Sequence, residues 1–254
     1  MTSPSTDLDA YATAMEEELG RNPGNLLFKM SGYFRDVPLA GRSVLDIGAG
    51  DGDSSLYAAV RGAGRVVALE PEAAGSTGGA RTRFDRIAER LGATQVELLA
   101  DTLQSFEAKG ETFDVLISIA SVNHLDEDAC TRLQDDEGAR QTYRRIFSKL
   151  AELANPGADL VVADAARDNL FPRLGVRNPV ARTIEWEKHQ QPEFWAALLA
   201  EAGFADPEIS WRTFNTLRRP GEILLGNRFA AYCSTSAFRL RMKYPGERRT
   251  PSGR

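Results

Sequence analysis

The spacing of apolar residues changes character near residue 40. Before it, Tyr11, Met15 and Leu19 recur at helical intervals. Asn22-Pro23-Gly24 interrupts that run, and a second helical stretch carries Leu26, Leu27 and Phe34. After Pro38 and Gly41, short β-rich apolar runs appear at residues 44–47, 66–69, 96–99, 113–119 and 160–163. Helix-length intervals separate them, which predicts βα units and a largely parallel sheet. Phe84, Ile87, Ala88 and Leu91 make one helix face before Gly92. Tyr143, Ile146, Phe147, Leu150 and Leu153 make another before Asn155-Pro156-Gly157. Pro192 opens a third helix, whose Phe194, Trp195, Leu198, Leu199 and Ala202 run to Gly203. Residues 209–214 and 236–243 read as late strands, with a helical insertion at 220–232 between them. The predicted organisation is a helical lid at 1–40, an α/β domain at 41–244 and a flexible tail at 245–254. Residues 167–191 show no clean period and are rich in Asn, Arg and Pro. An irregular stretch of that length inside a domain reads as a functional cap.

Composition narrows the class. The chain's 254 residues, 42% of them hydrophobic, suffice for one α/β domain with a full core. No apolar run approaches the ~20 residues that cross a bilayer. The N-terminal MTSPSTDLDA lacks the basic-then-apolar order of an export signal, so a cytoplasmic protein without a membrane partner is expected. A net charge of −5 argues against nucleic acid as a partner, although the segment from Arg218 onward is locally basic. Cys130 and Cys233 form no metal-ligand spacing, and no metal is expected.

The strongest local signal is VLDIGAGDG, residues 44–52. A buried strand runs into Asp46, and Gly48, Gly50 and Gly52 then turn tightly into a helix near Ser54. Glycines suit a turn whose backbone a ligand must approach. The dinucleotide fingerprint G-x-G-x-x-G fails here, because its third glycine position is Asp53, an acid that repels a pyrophosphate. The acids Asp46 and Asp51 around the turn favour a ligand with a positive centre.

That motif resembles the first motif of class I S-adenosylmethionine-dependent methyltransferases, and the resemblance extends over roughly residues 40–215. It implies a Rossmann-like α/β fold: a seven-stranded, mostly parallel sheet with helices on both faces. It also implies S-adenosyl-L-methionine as cofactor and S-adenosyl-L-homocysteine as product. Asp46, Gly48, Ala49 and Gly50 match the glycine-rich turn. Glu70, in VVALEPE with Pro71 after it, matches the acid that binds both ribose hydroxyls. Asp101, with Thr102 beside it, matches the acid that faces the adenine amino group. FDVLISIASVNHL matches the fourth strand, where Ile119 and Ala120 stand at the cofactor. NPGADLVVADA matches the fifth. Open α/β sheets bind ligands outside the carboxyl ends of their strands. Asp46, Glu70, Asp101, His124 and Asp164 all fall at or near such ends.

The resemblance suggests a small-molecule acceptor. O-methylation of a hydroxyl in specialised metabolism is the leading expectation, with His124 as general base and Asn123 and Asp164 orienting the acceptor. His124 as a packing residue at the rim is an equal alternative. Arg167, Asn169, Trp186 and His189 in the cap are the expected acceptor contacts. His189 also suits a hydrogen bond that orders the cap. N- or C-methylation stays open, as does a protein that binds the cofactor without transferring a methyl group. The oligomeric state is left open, with a homodimer as one option. The acids Asp126, Glu127 and Asp128 read as favourable charge at a helix N-terminus.

Overall fold

The computed structural model describes residues 4–71, 79–212 and 214–246, so most of the expected tail lies outside the described residues. The chain divides into two compact units, Met1–Ile119 and Ala120–Arg254.

The first unit carries helices α1 (Pro4–Leu19), α2 (Pro23–Tyr33), α3 (Asp53–Val60) and α4 (Ala80–Arg90). Its strands are β1 (Ser43–Ile47), β2 (Arg65–Leu69), β3 (Val96–Leu99) and β4 (Phe113–Ile119). They pair in parallel in the order β3-β2-β1-β4. β1 and β2 are buried at four of their five positions. Strands covered on both faces carry continuous apolar runs instead of alternating ones, and that made them visible in the sequence. The N-terminal helices belong to this core. Tyr11, Ala14 and Met15 of α1 are fully buried, and Phe34 stacks on Tyr57 of α3 at 5.4 Å. Burying Tyr11 and Met15 contributes roughly 1.5–3 kcal/mol each.

The second unit carries α5 (Glu127–Arg132), α6 (Glu137–Glu152), β5 (Ala154–Ala165), α7 (Leu170–Arg173) and α8 (Pro192–Glu201). It continues with β6 (Ala205–Trp211), α9 (Arg218–Leu225), α10 (Arg228–Tyr232) and β7 (Ala237–Tyr244). β7 runs antiparallel to both β5 and β6. The strand order β3-β2-β1-β4-β5-β7-β6 makes a seven-stranded mixed sheet, mostly parallel, as the sequence predicts. Trp195 lies fully buried between Tyr143 and Phe147 of α6, with ring centroids 5.2 and 6.0 Å away.

Three boundaries differ from the sequence reading. β5 begins at Ala154, six residues ahead of the apolar run, so Asn155-Pro156-Gly157 forms the entry to a strand and not a loop; Gly157 supplies the left-handed φ of 83°. β6 ends at Trp211 and starts at Ala205, because pairing with β7 sets its limits. None of its own residues is buried, four of the seven are exposed, and the register shifts between Ala205 and Glu208. The late insertion is two helices, α9 and α10. The cap is less irregular than expected, holding α7 and a short 3-10 turn at Trp186–Lys188.

Candidate functional site

In the first unit the glycine-rich turn follows β1. Gly48 and Ala49 donate backbone hydrogen bonds to the Leu69 carbonyl at 2.8 and 3.0 Å, fastening the turn to the end of β2. Gly50 has φ 54°, and a Cβ there would enter open space; its N–H donates to Glu70 Oε2 at 2.8 Å. Gly52 serves a different purpose. Its φ is 88°, and a Cβ would lie 2.5 Å from Cδ2 of Phe84 in α4, so it is demanded by internal packing.

The acids around the turn separate into two kinds. Asp51 is engaged by Arg83 at 2.7 Å and by Arg21 at 3.5 Å. It is therefore neutralised, contrary to its expected part in favouring a cationic ligand. Asp46 is buried and accepts hydrogen bonds from Ser54 and Ser55 at 2.5 and 2.6 Å. Its second oxygen, Oδ1, is buried with no hydrogen-bond partner. Burial pushes its pKa up from 3.8 to about 6, the two serine hydroxyls oppose that rise, and the charges of Glu70 and Asp53 add to it. A buried carboxylate in that state is stabilised by an incoming positive group.

Glu70 follows β2 and Asp101 follows β3, while Asp46 lies within β1. These three strands are neighbours, with Ile47 paired to Leu69 and Leu69 to Leu99. Asp46, Glu70 and Asp101 thus reach the carboxyl ends of adjacent parallel strands, as expected. Pro71 stands beside Glu70, half-buried. Asp101 accepts from Ser105 Oγ at 3.1 Å, and Thr102 and Ser105 exchange hydrogen bonds that fix the turn after β3. Ile119 is the last, half-buried residue of β4. The donor set, the open face at Gly50 and the orphaned Asp46 oxygen all fit an adenosyl ligand with a cationic end.

In the second unit Ala120 adopts φ 53° and donates to the Ala163 carbonyl at 2.7 Å. A left-handed alanine costs about 1–2 kcal/mol, strain of the kind stored at functional sites. The 3-10 turn Val122–His124 follows. Tyr143 of α6 braces it by donating to the Val122 carbonyl at 3.0 Å. Asn123 is buried with its Oδ1 unpartnered. His124 is half exposed, and its Nδ1 lies 2.7 Å from Glu127 Oε1. Hydrogen bonds from His124 and then Lys188 hold the Glu127 carboxyl below its usual range. An ionised Glu127 requires the proton on Nδ1, which in the neutral ring puts the lone pair on Nε2. Asp126 caps α5 by accepting from Ala129 at 2.9 Å. The helix-start reading of the acids holds for all three, with Asp126 as the N-cap and Glu127 and Asp128 in the first turn of α5, but it missed the pairing of Glu127 with His124. The spacing of His124 and Glu127, three apart, was the available signal.

Asp164 and His189 meet as a buried pair. His189 Nδ1 lies 3.3 Å from Asp164 Oδ1 without hydrogen-bond alignment, and Asp164 Oδ2 has no partner. Arg167, Asn169 and Trp186 line a common cavity of about 280 Å³ with Glu187 and Tyr232. Arg167 also donates to the Glu187 carbonyl at 3.0 Å. Asn169 is buried, and its amide bonds Ser234, Ser236, Phe171 and Asn178, so it locks the cap's own backbone. Cys130, to which the sequence assigns no role, is buried and donates to the Lys188 carbonyl at 3.0 Å.

A methyltransferase-domain family model matches residues 13–208, and the chain belongs to that family. It is an S-adenosylmethionine-dependent methyltransferase. The fold resembles an S-adenosylmethionine-dependent methyltransferase from Aquifex aeolicus, with a TM-score of 0.59 and 16% identity over 96% of this chain and 100% of that one. It also resembles a protein from Listeria monocytogenes described as a putative enzyme of the same kind, at TM-score 0.60 and 11% identity, covering 87% and 96% of the two chains. The [4+2]-cyclase SpnF has the fold as well, at TM-score 0.56 and 14% identity over 87% of this chain and 81% of that one. No curated protein sequence matches the chain. Among the described residues, no helix is long and apolar enough to cross a membrane.

Proposed function

We propose that this methyltransferase acts on a hydroxyl group of a small molecule, with His124 accepting the hydroxyl proton. The observation that carries the reading is the His124–Glu127 pair at 2.7 Å. It presets the tautomer whose Nε2 takes a proton, and the half-exposed ring is open to a solute. When bound, S-adenosylmethionine supplies an electrophilic methyl group on a sulfonium. This chain's residues have three tasks: hold the two reactants, exclude water and remove one proton.

In this reading Asp46, Gly48, Ala49, Gly50, Glu70, Pro71, Asp101, Thr102, Ile119 and Ala120 hold the cofactor. Glu70 is fixed through one oxygen by Gly50 and keeps the other for a ribose hydroxyl. Asn123 and Asp164, each with an unpartnered buried oxygen, orient the acceptor. Arg167 and Trp186 contact it from the cap. Asn169 acts one step back, holding the cap's backbone, and His189 lies beside the Asp164 carboxylate. The N-terminal helices wall the glycine-rich turn, since Tyr11 donates to the Asp53 carbonyl at 2.7 Å. Residues 167–191 form the moving cover.

The test is to incubate the protein with methyl-labelled cofactor and a metabolite extract, then locate the label by mass spectrometry. Label on an oxygen is expected. Label on nitrogen or carbon overturns the hydroxyl reading while leaving the enzyme class intact.

A further inference from the structure

The reaction leaves one feature of the second unit unused. A cavity of about 330 Å³ is lined by Asp168, Gln191, Trp211, Arg228, Phe229 and Tyr232. We propose that it is the ring-recognition site for the acceptor and that the acceptor is a hydroxylated aromatic molecule; this rests on the hydroxyl-methylation reading above.

Strand register gives the cavity its place. Phe238 of β7 pairs with Asp164 of β5 on one side and with Trp211 of β6 on the other. Both partners lie at the carboxyl ends of their strands, so Trp211 stands on the same rim of this unit as Asp164. Trp211 is also held firmly. Its ring meets buried Phe238 edge-on, with centroids 6.4 Å apart. The Arg228 guanidinium lies 5.7 Å from its centroid and is anchored by Glu193 at 3.1 Å.

The lining favours a flat π-system over an aliphatic chain. Three of the six side chains are aromatic, and the guanidinium beside Trp211 is planar. An aliphatic guest gains only from the area it buries. An aromatic guest adds edge or stacking contacts with the rings and a cation–π contact with Arg228. Phe229 lines the cavity yet is 76% exposed, a large apolar ring that a bound guest would cover. Asp168 and Gln191 supply polar atoms for a ring hydroxyl. The volume lies at the small end of ligand sites and suits a guest of two or three fused rings.

The test uses naphthol and its saturated counterpart decahydronaphthol as probes, titrated calorimetrically into the full-length protein saturated with S-adenosylhomocysteine. Naphthol should bind about tenfold more tightly than decahydronaphthol, the worth of one good aromatic contact set. Phe229→Ala, at an exposed position that does not support the core, should weaken naphthol several-fold and narrow the preference. Trp211→Leu should do so more strongly. The affinity for S-adenosylhomocysteine should stay unchanged in both variants. No naphthol binding, equal affinity for the two probes, or indifference of both to the two substitutions overturns the proposal. So does a Phe229→Ala variant that changes only the sedimentation of the protein, because the patch then joins copies of the chain. If S-adenosylhomocysteine itself fails to bind, the cofactor reading fails, and repeating the naphthol titrations without it still decides the cavity.

Discussion

The turn after β1 and the cap after β5 solve opposite problems. The turn is built from short-range geometry. Its glycines take left-handed angles, its backbone bonds the next strand, and its acids stand at the ends of adjacent parallel strands. The cap is built from long-range pairs. Asn169 is tied to Ser234 and Ser236 and Cys130 to Lys188, and Asp164 is packed beside His189. A ligand common to a whole family can be met by a fixed local motif. An acceptor specific to one enzyme is met by contacts that only the finished fold assembles.

The sharpest way to break this contrast is to separate turnover from cofactor binding. His124→Ala should lower kcat by about 10²–10⁴, the usual worth of a positioned base. His124→Gln should be nearly as slow, because it hydrogen-bonds but takes no proton near neutrality. Near-normal turnover of His124→Gln in a pH–rate measurement would reduce His124 to a positioning group. Glu127→Gln should be impaired less, since it relaxes the tautomer without removing the imidazole.

Next in size is Asp46. Its pKa of about 6 in the folded protein exceeds the ordinary 3.8, so burial favours the neutral acid. Its contribution to the stability of the cofactor-free protein is fully present below pH ~4 and is lost as pH rises through about 6. Asp46→Asn should therefore raise stability at pH 7 by on the order of 2–3 kcal/mol, read from urea unfolding. The same change should weaken the cofactor, and wild-type affinity should fall as pH drops below about 6. A variant that is destabilised at pH 7 contradicts this account of the turn. The smallest effect expected is in the cap. Hydrogen exchange in 167–191 should slow when S-adenosylhomocysteine and an acceptor are both present, and α1 should change less because Tyr11 and Met15 are already fully buried.

The same contrast explains what the sequence revealed. The four strands of the first unit were legible because they are short, apolar and β-rich. The strand-end positions of Glu70 and Asp101 were legible because each stands just after such a run. Asp51 misled because its charge is visible in sequence while Arg83, 32 positions away, is not visibly its partner. β6 misled because β7 sets its register and its own burial pattern is weak. β5 misled because Pro156 and Gly157 are ordinary chain breakers, yet here they lie within the strand's span, just ahead of its pairing with β7 from Ala158. Trp211 and Phe229 come together through the β5–β7–β6 register and the placement of α10, information no local window contains.

The most direct measurement is a calorimetric titration of S-adenosylmethionine into the wild type, Glu70→Ala and His124→Ala under identical conditions. Removing hydrogen bonds to the Glu70 carboxylate should cost roughly 1.5–3 kcal/mol, an affinity loss of about 10- to 150-fold, whereas His124→Ala should bind like the wild type. Unchanged affinity in Glu70→Ala, or an equal loss in both variants, would contradict the division of labour between the strand-end acids that hold the cofactor and the His124 turn that serves the acceptor.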